Sequence, residues 1–139
     1  MSLDPVRVED SRAWLAKADL DLRSARVDIA AEPPILGDAL FHCQQAVEKG
    51  LKAFLTWHDQ PFRKIHDRVE LGGQCASLDQ SLEAVVRPAV RLTEYAWRFR
   101  YPGDVPEPAR AEVDAALALV GAVLAAVEQR LPMEARPRQ

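Results

Sequence analysis

The sequence predicts an all-α protein: an up-and-down antiparallel four-helix bundle with one additional short helix. Three observations carry this. Four long segments repeat their apolar residues at helical spacing. No run alternates apolar and polar residues as a half-buried strand does. The punctuation between the segments is short and proline-rich, which joins antiparallel neighbours rather than crossing a sheet.

The first helix is expected over about residues 10–31, with Trp14, Ala18, Leu22, Ala25 and Ile29 along one stripe. "EPPILGD" ends it, because two consecutive prolines cannot continue a helix. A second helix follows over about 38–58 and is broken at "DQPF". The stretch "KIHDRVELGGQCASLD" predicts one short helix, opened by Asp67 and closed at Gly72–Gly73. Another helix starts near Asp79 or Ser81, both good N-caps, and runs to about Arg100 with Pro88 kinking or re-starting it. "YPGDVPEP" punctuates again, and a last helix over about 109–130 turns Val113, Leu117, Val120, Leu124 and Val127 inward. Residues 1–139 read as a single helical domain with its core over about 10–130 and a frayed tail over 131–139.

Composition narrows the function classes. With 48% hydrophobic and 28% charged residues the chain is an ordinary globular mixture. A net charge of −3 provides no global basic field, so any nucleic-acid binding has to rest on a local patch. Cys43 and Cys75 are too few for a disulfide framework and lack metal-ligand spacing, and Cys43 falls on an apolar helix face. The N-terminus has no apolar signal region, and no apolar run is long enough to span a bilayer; a cytoplasmic protein without membrane contact is the expectation.

Helix two carries the first polar concentration. At about 100° per residue, His42, Gln45, Lys49, Lys52 and Thr56 fall within an arc of about 80°. Leu40, Cys43, Val47, Leu51, Phe54 and Leu55 take the opposite, core side, and Phe41 and Glu48 lie off both faces. Between them runs a row of small residues, Ala39, Ala46, Gly50 and Ala53, that admits close approach of another helix. The polar strip reads either as a solvated face or as a groove for phosphate or nucleobase, with lysines as point charges. The second concentration is "RPAVRLTEYAWRFRYPGD". Here Arg87, Arg91, Tyr95 and Arg98 share an arc of about 80°, with Glu94 beside them. Arginine with tyrosine grips phosphates and stacks on bases; the alternative is a salt-bridged surface helix.

Catalytic machinery is not legible. His42, His58 and His66 lack the i, i+4 spacing of a zinc site, and His58 suits helix capping or packing. There is no Gly-rich phosphate loop and no nucleophile–base pair, and no metal or cofactor is expected.

Four stretches, "WLAKADLDLRSARVDIA", "ALFHCQQAVEKGLKAFL", "KIHDRVEL" and "LTEYAWRFRYPGD", resemble in order and spacing the HEPN domain proteins, over about residues 14–127. The residues that carry the likeness are Gln44, Gln45, Glu48, Lys49 and Lys52, then His66, then Arg100, Tyr101 and Pro102. The resemblance implies a helical bundle that forms a homodimer, binds nucleotide or RNA, and works with a small nucleotidyltransferase in a toxin–antitoxin-like pair. Ribonuclease members of that family carry an Arg followed four to six residues later by a His. No Arg here has a His at that spacing; Arg63 precedes His66 by three. The expectation is therefore a nucleotide- or nucleic-acid-binding module. A metal-independent ribonuclease using Arg98 or Arg100 with His66 or His42 is the rival, and a purely structural dimerisation partner the third reading.

Overall fold

In the computed structural model, residues 3–63, 67–103 and 106–138 are described. The described residues form five α-helices: α1 (Pro5–Ala30), α2 (Leu36–Trp57), α3 (Arg68–Leu78), α4 (Glu83–Thr93) and α5 (Arg110–Gln129). No strand occurs among the described residues. Short 3-10 segments precede α4 (Gln80–Leu82), follow it (Ala96–Arg100) and end the chain (Met133–Ala135). α1, α2, α4 and α5 make the up-and-down bundle, and α3 is the additional short helix. Cross-contacts show the directions. Arg7 of α1 lies over Trp57 of α2 while Asp21 meets His42, so these two helices are antiparallel. Arg130 at the end of α5 holds Asp79 just before α4, so that pair is antiparallel as well.

Several boundaries move for physical reasons. α1 starts before residue 10 because Asp4 accepts from the Val6 N–H and Pro5 takes the first turn, a cap-then-proline start. α3 does not close at Gly72–Gly73. It runs through both glycines, fastened by buried Leu71 and Cys75, to Leu78. The expected continuous helix to Arg100 is interrupted at Glu94–Tyr95. The buried Gln44 side chain donates to the Thr93 carbonyl at 2.8 Å and the Glu94 carbonyl at 3.1 Å. Those are the acceptors that the next α-helical turn needs, so the chain tightens into a 3-10 segment. The tail expected to fray is instead tied down: Leu131 and Ala135 are buried, and Arg12 donates to the Glu134 carbonyl.

The core matches the expected α2 face. Leu40, Cys43, Val47, Leu51, Phe54 and Leu55 are all buried, as are Ala18, Leu22, Ala25 and Ile29 of α1 and Val113, Val120, Leu124 and Val127 of α5. The row of small residues does admit a neighbour. A Cβ on Gly50 would stand 2.6 Å from Leu124 Cδ2, which measures how closely α5 crosses α2.

At the other end, α2 lacks a side-chain cap of its own, and the Glu107 carboxylate accepts from the Gly37 N–H at 2.8 Å. An acidic group at a helix N-terminus satisfies an orphan donor and opposes the dipole. A Cβ at Gly37 would sit 2.8 Å from Phe99 Cβ, an atom too close to its backbone to move aside. Gly37→Ala is therefore expected to lower the melting temperature by roughly 5 °C or more, from overpacking of about 1–3 kcal/mol. An unchanged thermal melt would show that the Phe99 segment relaxes freely.

Candidate functional site

α2 presents its polar residues to α1 rather than to an open cleft. His42 Nδ1 lies 2.9 Å from one Asp21 oxygen and Lys49 Nζ 2.5 Å from the other. His42 Nε2 lies 3.3 Å from Asp38. Lys52 is not on a solvated strip. It is 7% exposed, 3.2 Å from Glu48, with its ammonium 5.2 Å from the Trp14 ring centre and 5.6 Å from that of Phe62. Glu48, expected off both faces, is buried and also accepts from Arg68 at 3.1 Å. Gln45 is half-buried, and so is Phe41, whose ring packs edge-on to His42 at 6.3 Å. Four of the family-motif residues, Gln44, Glu48, Lys49 and Lys52, thus hold α2 to its neighbours.

Asp28, Asp38 and His42 each bring a ligand-type atom within 4.8 Å of one another. Carboxylates stand at both ring nitrogens of His42, Asp21 at Nδ1 and Asp38 at Nε2, so neither nitrogen is open to an ion. His58 ends α2 with its ring tilted against that of Phe54, centres 4.4 Å apart, and its partial burial pushes the imidazole pKa below its ordinary value. Burial pushes the Cys43 and Cys75 thiols up to about 12, which leaves them unreactive packing groups. His66 lies outside the described residues.

The arginines do open on a cavity. A groove of about 400 Å³ runs between α3 and α4. Its walls are Val69, Gly72, Gly73, Ala76, Val86 and Val90, and its charges are Arg68, Arg87, Arg91 and Glu83. Arg68 is committed to Glu48 and Arg87 to Glu83 at 2.6 Å. Arg91 is exposed, with no carboxylate partner among the described residues. Gly73 has nothing within 4 Å of a built Cβ, so bare backbone faces the opening. Arg68 and the glycine pair were missed in the sequence. The available signal was two glycines in a helical stretch, each costing about 1 kcal/mol against alanine, of which Gly73 has open space for a Cβ and Gly72 would meet Val86 Cγ1 at 3.3 Å.

Tyr95 and Arg98 do not share the groove with Arg91, because the turn at Glu94–Tyr95 breaks the helical register that grouped them. They form a second feature. The Arg98 guanidinium lies 4.6 Å over the Tyr95 ring and 5.9 Å from that of Trp97, and Trp97 meets Tyr101 edge-on at 6.0 Å. Tyr95, Trp97 and Tyr101 are each about half exposed or more, and Pro102 is exposed beside them; Arg100 ends the 3-10 segment. His42 and Arg91 line different cavities, so the α2 strip and the arginine helix do not face each other across one cleft.

Fold and site together define an all-helical bundle with an arginine-rimmed groove and an exposed cation–aromatic cluster. The family model for the HEPN domain matches residues 11–130, most of the chain, and the protein belongs to the HEPN domain family. No curated protein and no solved structure matches it. No helix among the described residues is long and apolar enough to cross a membrane.

Proposed function

We propose that the protein is a nucleotide- or nucleic-acid-binding module that holds phosphate at the α3–α4 groove and works with a small nucleotidyltransferase in a toxin–antitoxin-like pair. The observation that carries the binding reading is Arg91. It is a guanidinium with no carboxylate partner among the described residues, at a groove with an apolar floor, with Arg87 and Arg68 beside it. A guanidinium fork matches phosphate geometry bidentately. The floor of Gly72, Gly73, Val86 and Val90 accepts the flat face of a base, and the groove's volume lies at the small end of ligand sites. The Tyr95–Trp97–Arg98 cluster supplies the kind of stacking surface that tolerates any base. The partner enzyme rests on the family likeness alone, and co-purification with such an enzyme is its check.

The binding site has shifted in this proposal from the α2 strip to the arginine groove, and the two locations predict opposite behaviour. Arg91→Ala weakens binding of ATP, GTP or a short single-stranded RNA by about tenfold, the loss of one charge-assisted contact, and leaves the melting temperature nearly unchanged. Lys49→Ala lowers the melting temperature, because Asp21 loses a partner, and leaves binding unchanged. Calorimetric titration with a parallel thermal melt reads both. Equal affinities for Arg91→Ala and the parent sink the groove, and metal-independent cleavage of the RNA would establish the ribonuclease instead.

A further inference from the structure

Two adjacent glycines sit in the middle of α3, and only one of them has a reason inside the protein. A Cβ on Gly72 would meet Val86 Cγ1 at 3.3 Å, so its absence lets α3 lie close against α4. A Cβ on Gly73 would meet nothing within 4 Å, and Gly73 is exposed on the wall of the α3–α4 groove. Its backbone is helical and has no left-handed torsion that calls for glycine. Alanine there would favour the helix. Gly121 of α5 has the same open space, but it does not line the groove. Gly73 alone combines a missing side chain, open space and a place beside Arg91.

Given the reading of the groove as a nucleotide site, on which this rests, the geometry points to Gly73 as the residue that admits the base, and to a groove that requires a base without reading which base it is. The flat face of the ring lies against the bare backbone of α3, with Val86 and Val90 beside it and the phosphates at Arg91. A methyl group on Gly73 would hold the ring off the helix. The tolerance follows from the chemistry of the walls. No serine, threonine, asparagine or glutamine lines the groove among the described residues. The helix uses its own interior backbone donors and acceptors, and the Gly73 carbonyl also accepts from the Ser77 hydroxyl at 3.0 Å. Glu83 is the one carboxylate on the walls, and Arg87 holds it at 2.6 Å. Base edges therefore meet no free hydrogen-bonding partner, whereas every base has a face to offer.

The groove's volume of about 400 Å³ suits one nucleotide rather than a strand. Phosphate and base are held by different helices, Arg91 on α4 and Gly73 on α3, so the two contacts can be removed one at a time.

Calorimetric titration of the full chain with ATP, GTP and inorganic tripolyphosphate, beside a thermal melt of each variant, tests this. Gly73→Ala is expected to weaken both nucleotides about tenfold, the effect of overfilling a close contact. It leaves tripolyphosphate binding unchanged and raises the melting temperature by roughly 3–6 °C, because alanine is the better helix former. Gly121→Ala raises the melting temperature in the same way and leaves every affinity as it was. Arg91→Ala weakens nucleotides and tripolyphosphate alike. ATP and GTP, equal in ring size and different at their edges, bind within about threefold of each other, and Glu83→Gln leaves that ratio unchanged. If Gly73→Ala binds ATP as the parent does while Arg91→Ala does not, the role of Gly73 is overturned and the phosphate site stands. Loss of tripolyphosphate along with ATP in Gly73→Ala overturns it too, since the substitution would then distort the whole groove. A preference for GTP above about tenfold that Glu83→Gln abolishes overturns the tolerance, because that carboxylate would be reading the guanine edge. A parent that binds neither ATP nor tripolyphosphate removes the nucleotide site itself, and the role of Gly73 with it.

Discussion

Glu48→Ala is expected to cost about 3–5 kcal/mol of stability and to lower the melting temperature by roughly 10–20 °C. The carboxylate is 2% exposed and lies between two cations, 3.2 Å from Lys52 and 3.1 Å from Arg68. Lys52 has little access to water, because Trp14 and Phe62 flank its ammonium. Removing Glu48 leaves that charge buried without its partner, and the unpaired ion, rather than the lost attraction, dominates the cost. The paired change Glu48→Leu with Lys52→Met removes both charges from the interior and is expected to recover most of the loss. Urea unfolding of the single and double variants separates the two cases. A single-variant loss below about 1 kcal/mol would mean that Lys52 reaches solvent once freed.

That network also shows where sequence reasoning stops. Helical periodicity placed Leu40, Cys43, Val47, Leu51, Phe54 and Leu55 in the core correctly, because burial follows one continuous angle around a helix. It could not tell that α1 would offer Asp21 to His42 and Lys49, since a wheel drawn on α2 contains no information about what packs against its polar side. The same limit separated Arg91 from Tyr95 and Arg98. A helical wheel assumes that the helix continues, and whether it continues was decided by Gln44, some fifty residues earlier in the chain. Asp4–Pro5 and the buried tail were different failures. The first was a local start signal present in the sequence, and the second depended on contacts with α1 that no local pattern encodes. The groove itself was half legible. Arg87 and Arg91 stand one helical turn apart, but Arg68 and Gly72–Gly73 reach it from α3 only after folding.

Gln44 therefore links the frame to the proposed site, and Gln44→Met makes the link measurable. Methionine keeps most of the volume and removes the amide donor, so the carbonyls of Thr93 and Glu94 lose their side-chain partner while packing is nearly conserved. Thr93 is fully buried, and its carbonyl has no ready replacement from water. The expected loss is about 1–3 kcal/mol, or a melting temperature lower by roughly 4–10 °C. A second consequence is local. With its carbonyls released, α4 is free to extend past Glu94, which rotates Tyr95, Trp97 and Arg98 out of their present stack. Tryptophan fluorescence of the folded variant, read from Trp97 against a Trp97→Phe control, reports that rearrangement. A stability loss with an unchanged Trp97 signal would make Gln44 a packing residue only. A changed signal together with weaker binding of single-stranded RNA would tie the aromatic cluster to the ligand, because the substitution touches neither the groove nor the stack directly.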